Sequence, residues 1–388
     1  MIRPALSTLP SYVAGRSDPQ GVKLSSNESC RGPLPGVVDA AAHALAESNR
    51  YPDMAALELR TSIARWLDDD SALSLTAENV AVGAGSSALI QQAVLACCRG
   101  GDSTAADSSA ESAGQGAAQD DRQGSGDCAP VADQVIYPWR SFEAYPIFAK
   151  VAGAEAVEIP LTPDLRNDLP AMSAAVTDRT RLVIVCNPNN PTSTTVSRTE
   201  LEEFIDSIPD DVHILLDEAY YEYVRDESSP DGLSLLDRHP GLAVARTFSK
   251  AFGLAGLRVG YVIGRPGFID ALNKVCIPFS NNAVAQAAAV ASIAAREELL
   301  GRTDETAVQR ERVLARLPES LRGQAEANFV WLPLGDRARE LTDAMAACHV
   351  AVRCFDGEGV RITVTDEAET DLLLSVLDVV DIDKFARP

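Results

Sequence analysis

The run Leu242-Ala-Val-Ala-Arg-Thr-Phe-Ser-Lys-Ala-Phe-Gly-Leu-Ala-Gly-Leu-Arg-Val-Gly-Tyr-Val-Ile263 sets two short apolar segments on either side of a small-residue loop carrying one lysine and one arginine. Short apolar runs bounded by turn residues, Leu242 to Arg246 and Val259 to Ile263, read as buried strands. Between them, Lys250 is bracketed by Ser249, Phe252, Gly253 and Leu254. That setting suits a partly desolvated amine, which is easier to keep neutral and nucleophilic. Ser249 and Arg258 supply a hydroxyl and a permanent cation, the two group types a phosphate dianion prefers. The loop suggests a Schiff-base lysine beside a phosphate site. By itself, Ser-Lys reads more readily as a helix cap followed by a solvated lysine, so support must come from elsewhere in the chain.

Working outward, the same rhythm recurs. Asn79 to Gly83, Gln134 to Tyr137, Arg181 to Cys186 and Val212 to Leu216 are short β-branched runs separated by helical patterns such as Ser87 to Cys98. This is an α/β chain with buried, mostly parallel strands, and in such sheets ligands gather beyond the carboxyl ends of the strands. Polar groups follow the runs directly: Gly83-Ala-Gly-Ser-Ser-Ala88, Asn187-Pro-Asn-Asn-Pro-Thr192, Asp217-Glu-Ala-Tyr220 and Thr247-Phe-Ser-Lys250. After Arg265 the chain turns to long helical stretches from Ala283 to Leu317, then to strand candidates Asn328 to Leu332 and Val360 to Val364. These predict a smaller C-terminal α+β domain whose Arg353 and Arg361 flank a short Gly-containing turn. The expected division is an N-terminal arm and part of the small domain over 1–45, a large domain over 46–267, and a small domain over 268–388.

Composition excludes several classes. The 388 residues suffice for two domains, and 46% hydrophobic with 23% charged residues is a globular balance. A net charge of −22 opposes nucleic-acid binding. No apolar run reaches the roughly 18 residues of a membrane span. The eight cysteines are dispersed and the four histidines lack metal-ligand spacing, so the expectation is a reduced, cytoplasmic, metal-free protein. Residues 102–133 are rich in Ser, Ala, Gly, Gln and Asp and read as a disordered acidic surface insertion.

Each group after a strand can serve one cofactor. Asp217 can hold a pyridine nitrogen protonated, making the ring an electron sink, or simply cap a helix. Tyr220 and Asn190 offer donors to a ring phenolate, although alone they read as a core aromatic and a turn residue. Gly85 and Ser86 open a helix where backbone N–H groups favour phosphate. The same Gly-x-Gly-x-x-Ala spacing also fits a dinucleotide fold, but the acid that fold needs about 20 residues on would fall inside the insertion, and Lys250 and Asp217 would have no role.

The set Asn190-Pro-Thr, Asp217-x-Ala-Tyr220, Ser249-Lys250 and Arg258 closely resembles the fold-type I pyridoxal-phosphate aminotransferases of class I/II, over nearly the whole chain apart from the insertion. Ser26-Asn27-Glu28, Asn49-Arg50-Tyr51-Pro52 and Ala327-Asn-Phe-Val330 resemble the histidinol-phosphate and aromatic amino-acid aminotransferase branch. The resemblance implies a mostly parallel seven-stranded sheet in the large domain and pyridoxal 5'-phosphate as cofactor. Lys250 would form the Schiff base and shuttle protons, and Asp217 would pair with the pyridinium. Asn190 and Tyr220 would hold O3′, Arg258, Ser249, Gly85 and Ser86 the phosphate, and Phe142 would stack on the ring. It further implies a homodimer in which Tyr51 reaches the neighbouring active site. Arg361 would clamp the substrate α-carboxylate, with Tyr12, Asn27, Phe279 and Arg353 also in the substrate site. Thr192-Ser193 stands where the family usually has Thr-Gly, and Thr365 where Gly is common; loop positions of this kind are expected to tolerate the change.

In the histidinol-phosphate enzymes of this branch, tyrosines usually occupy the positions matching Phe142 and Phe279, and an Asn the position matching Ser87. Losing those hydroxyls leaves apolar walls, which favours an aromatic ring over a phosphate ester. The expected activity is therefore transfer of an amino group between phenylalanine or tyrosine and a 2-oxo acid. Histidinol phosphate is the alternative substrate, and decarboxylation a more distant alternative reaction.

Overall fold

The computed structural model describes residue 9 and residues 15–71, 73–99 and 132–386. Tyr12 and residues 102–131 of the expected acidic insertion lie outside the described residues.

Eleven strands form two sheets among the described residues: β1 (Val22–Leu24), β2 (Val80–Gly83), β3 (Gln134–Trp139), β4 (Glu155–Pro160), β5 (Thr180–Cys186), β6 (His213–Asp217), β7 (Leu242–Thr247), β8 (Gly260–Gly264), β9 (Phe329–Leu332), β10 (Val350–Phe355) and β11 (Gly359–Thr363). The large sheet has the order β2-β8-β7-β6-β5-β3-β4, and β8 alone runs antiparallel to its neighbours. The carboxyl ends of β2, β3, β5, β6 and β7 therefore share one edge, which brings together the polar turns that follow them. Central strands are apolar because helices cover both faces: β5 and β6 place Val183, Val185, Ile214 and Leu216 on one side and Leu182, Ile184 and Leu215 on the other. Pattern reading missed β4, which is an edge strand of mixed exposure.

The smaller sheet has the order β1-β10-β11-β9. Its first strand comes from the N-terminal segment, where Val22 pairs with Val350 in parallel. Helix Pro266–Val275 packs Phe268, Ile269 and Leu272 onto the large sheet, and helix Ala283–Ala294 packs Ala285, Ala288 and Ala289 onto that sheet's other face. The expected division at residue 268 does not follow this packing. Helix Arg296–Arg316 carries Leu299 in the large core and Val313 in the small one, so we place the change of body within it. Helical periodicity shows that a helix has a buried face without showing which sheet it covers.

Ser193, at the position where glycine was expected, has a left-handed backbone (φ 65°) and is fully buried. That conformation costs a non-glycine residue roughly 1–2 kcal/mol. The side chain offsets the cost: its Oγ accepts the amide N–H of Ala327 at 2.8 Å and of Glu326 at 3.1 Å, fastening the loop after β5 to the segment entering β9.

Beneath the shared edge lies a buried charge cluster. Arg246 donates through Nε and Nη2 to Glu218 Oε2 (2.9 and 2.7 Å) and through Nη2 to Asp231 Oδ1 (2.6 Å), with its guanidinium 3.7 Å from the Tyr221 ring centre. Both Arg246 and Glu218 side chains are only 2% exposed. Truncating the cation would strand a buried carboxylate. Arg246→Ala is expected to lower stability by about 3–5 kcal/mol in urea unfolding of the cofactor-free protein; a loss near the ~1 kcal/mol of a surface pair would show the cluster to be solvated.

Candidate active site

One cavity sits at the carboxyl edge of the large sheet, closed on the far side by β10, β11 and the N-terminal segment at Gly15 and Ser25 to Asn27. Lys250, Asp217, Tyr220, Asn190, Ser86, Ser249, Arg258, Phe142, Asn27, Arg353 and Arg361 all line it. Residues spread over more than 330 positions meet here because the parallel strands end together and the small sheet folds back over them.

Asp217 is the last residue of β6 and is 4% exposed. Tyr145 donates its hydroxyl to Asp217 Oδ2 at 2.6 Å, while Oδ1 is buried with no hydrogen-bond partner. Burial pushes its pKa up to about 6, against the lowering effect of the Tyr145 hydrogen bond. A buried acceptor lacking a donor is costly unless a ligand supplies one. A protonated ring nitrogen is such a donor, so the site fits a pyridinium. Asp217 caps no helix here.

Lys250 follows β7 and is partly open to the cavity; Nζ donates to the Ser26 carbonyl at 3.2 Å. Desolvation by the surrounding protein, then the positive charge of Arg361, lowers its pKa to about 7, with Glu28 opposing. A neutral amine is thus accessible near neutral pH.

Phosphate-type donors collect at the other end. Helix Ser86–Cys97 opens at Gly85, whose φ of 84° suits glycine, and a Cβ there would collide with Arg258 Nη2. A Cβ on Gly260 of β8 would likewise collide with the Ser86 amide, so two glycines create the close approach. Arg258 Nη1 donates to Ser249 Oγ at 3.1 Å, placing guanidinium and hydroxyl beside the start of the helix, whose first-turn amides favour anions.

Asn190 Oδ1 accepts from Arg361 Nη1 at 2.5 Å, and Arg361 Nη2 donates to the Ser25 carbonyl at 2.8 Å. Asn27 donates through Nδ2 to the Tyr220 hydroxyl at 3.0 Å and accepts from Thr363 Oγ1 through Oδ1 at 3.1 Å, tying both bodies together. Burial raises the Tyr220 pKa, keeping its hydroxyl protonated as a donor.

Two expected site residues are elsewhere in the chain's own geometry. Tyr51 (82% exposed) and Phe279 (39% exposed) stack on each other with ring centres 4.6 Å apart and do not line the cavity. Tyr145, Glu143 and Cys186 line or support the site without having been singled out. Tyr145 gave no local signal beyond its place three positions after Phe142, because a tyrosine opening a helix, here Tyr145–Ala152, reads as a core aromatic.

The family model for aminotransferase class I and II matches residues 19–109 and 127–377. The chain is 50% identical over 386 residues to an aromatic amino acid aminotransferase of Corynebacterium jeikeium, covering 97% of this chain and 93% of that protein. It is 46% identical to an aromatic amino acid aminotransferase of Nocardia farcinica, covering 96% and 95%. Among solved structures, histidinol-phosphate aminotransferase from Sinorhizobium meliloti in complex with pyridoxal-5'-phosphate superposes with a TM-score of 0.81 at 27% identity, covering 99% of this chain and 98% of that one.

The depressed lysine pKa fixes a pH dependence. Below pH 7 the amine is charged and unreactive; above it the neutral form dominates. Capture of pyridoxal 5'-phosphate by the cofactor-free protein, followed by visible absorbance, is expected to accelerate as pH rises through about 7 and to level off well before 10. Lys250→Ala is expected to abolish the band; a rate still climbing at pH 10 would contradict a desolvated amine.

Proposed function

The chain belongs to the class I and II aminotransferases, and on that premise we propose that it moves an amino group between an aromatic amino acid, phenylalanine or tyrosine, and a 2-oxo acid in a ping-pong cycle. It is a pyridoxal 5'-phosphate enzyme. The observation that carries the aromatic choice is the cavity wall at Phe142, where a phenyl ring rather than a phenol faces the site. The names of both bacterial relatives support it. Arg353 on the same wall favours the competing reading, a phosphate ester such as the histidinol-phosphate enzymes use.

When bound, the cofactor supplies an aldehyde for the amine and a ring that accepts electrons from the α-carbon. Asp217 would hold the ring nitrogen, Asn190 and Tyr220 the ring oxygen, and Gly85, Ser86, Ser249 and Arg258 the phosphate. The chain's own residues do the rest. Lys250 takes a proton from the substrate α-carbon as a base and returns one as an acid, and a pKa near 7 lets it serve both roles at neutral pH. Arg361, held by Asn190 and the Ser25 carbonyl, presents its guanidinium to the substrate carboxylate and fixes which α-carbon bond faces Lys250. Asn27 keeps the Tyr220 hydroxyl aimed while bridging to β11 through Thr363.

The active form is inferred to be a homodimer, because the exposed Tyr51–Phe279 stack is an aromatic patch that suits a second copy. Among the described residues no helix is long and apolar enough to cross a membrane, and the described cysteines are free thiols. Free thiols favour a reducing, cytoplasmic setting, and the reaction suits amino-acid biosynthesis.

Two measurements test these points. With glutamate as donor, kcat/KM for phenylpyruvate is expected to exceed that for imidazole-acetol phosphate by more than about tenfold, the scale of a wall-level discrimination; a preference for the ester overturns the aromatic choice. Inactive Lys250→Ala and impaired Tyr51→Ala subunits are expected to regain activity on mixing, because one mixed site holds both native residues. No recovery after verified subunit exchange would argue against a shared site.

A further inference from the structure

We propose that Glu143 is a specificity-determining residue, its carboxylate occupying Arg353 so that a dianionic phosphate ester is disfavoured against an aromatic 2-oxo acid. The proposal rests on the aromatic reading above and extends it to a named residue.

Glu143 directly follows Phe142 in the loop after β3, and both line the cavity. Its Oε2 accepts from Arg353 Nη2 at 2.7 Å, across the gap between the large sheet and β10. The Arg353 side chain is 11% exposed and that of Glu143 33%, so the pair is drawn substantially out of water while the carboxylate still reaches the cavity. The neighbouring arginine is also satisfied internally: Arg140 Nε donates to Glu358 Oε2 at 2.8 Å. Arg361, held by Asn190 and Ser25, is directed to the α-carboxylate. The guanidinium carbons of Arg140, Arg353 and Arg361 lie 5.7, 5.6 and 5.9 Å from the Phe355 ring centre, so the two arginines that line the cavity, Arg353 and Arg361, are backed by a buried aromatic ring, one cation matched by a carboxylate and the other assigned to the substrate backbone.

The electrostatic consequence follows directly. A phosphate seeking Arg353 must displace Glu143, and the displaced carboxylate then faces a dianion in a partly desolvated space. Like charges brought together in that way suppress the wrong partner. A neutral ring makes no such demand, since it can lie against the paired guanidinium while the pair stays intact. Repulsion scales with ligand charge, so a dianionic phosphate is disfavoured more strongly than the single side-chain carboxylate of glutamate or 2-oxoglutarate, which stays usable as the amino-group partner.

The test compares wild type, Glu143→Gln, Glu143→Asp and the Glu143→Gln/Arg353→Gln double variant. Enzyme already carrying the amino group is mixed with one oxo acid in single turnover, so the donor does not enter the comparison. Expected for Glu143→Gln is a rise of about tenfold or more in the ratio of imidazole-acetol phosphate to phenylpyruvate reactivity, with a smaller rise for 2-oxoglutarate. Glu143→Asp keeps the charge and is expected to retain most of the exclusion. In the double variant the gain is expected to vanish. Calorimetric binding of inorganic phosphate to the cofactor-loaded enzyme is expected to tighten in Glu143→Gln.

A ratio and a phosphate affinity unchanged in Glu143→Gln, with wild type preferring phenylpyruvate, would overturn the role of Glu143 alone. A gain that persists without Arg353 would overturn it as well. A wild-type enzyme that already prefers the phosphate ester would overturn the aromatic reading, and this role with it.

Discussion

A carboxylate kept in the interior at the end of β6 sets the terms for the surrounding structure. Asp217 has one oxygen held by Tyr145 and the other without a partner, an arrangement that costs free energy until a ring nitrogen supplies the missing hydrogen bond. The same low-dielectric surroundings that push Asp217 up push Lys250 down, so the two pKa values converge near neutrality from opposite sides. One physical cause, exclusion of water from the edge of the large sheet, thus brings a carboxylate and an amine toward neutrality in the same cavity. Behind them the Arg246, Glu218 and Asp231 cluster gives the polar turn after β6 a rigid base.

The second requirement is closure, and it depends on residues that bridge the two sheets. Asn27 links Tyr220 to Thr363, Arg361 of β11 reaches Asn190 beyond β5, and Arg353 of β10 reaches Glu143 beyond β3. Each bridge joins a strand end of the large sheet to the small sheet or to the N-terminal segment beside it. Cavity geometry and domain arrangement are therefore coupled: a shift of the small body would move Arg361, the Asn27 support of Tyr220 and the Arg353–Glu143 pair together.

Much of this is legible in the sequence. Strand positions in the large sheet followed from short apolar runs, because buried parallel strands leave no polar face to confuse the pattern. Edge strand β4 was not legible, since Glu155, Val157 and Glu158 mix charge with partial exposure and no local rule separates them from a loop. Lys250 and Asp217 were legible because reactive and charge-bearing groups are rare directly after apolar runs, Arg258 because it lies in the same small-residue loop as Lys250, and Arg361 only through the family resemblance. Tyr145 was not, because a tyrosine opening a helix looks like any core aromatic until its hydroxyl is seen beside Asp217. Ser193 shows the converse: a departure that looked merely tolerable in a loop proves to be a left-handed residue held by its own hydroxyl.

By itself the sequence determined the chemical inventory and its order: which groups follow which strands, and that one amine, one strand-end carboxylate and two arginines suit a pyridoxal-phosphate reaction. Local pattern suffices for that, because hydrophobic periodicity and turn chemistry act over a few residues. Only the tertiary structure decided who pairs with whom. It set Glu143 against Arg353, left Asp217 Oδ1 open to a ligand, and put the Tyr51–Phe279 stack on the surface instead of in the chain's own cavity. Those outcomes depend on distances between residues far apart in the chain, and they arise when burial of the two cores brings the strand ends and the small sheet face to face.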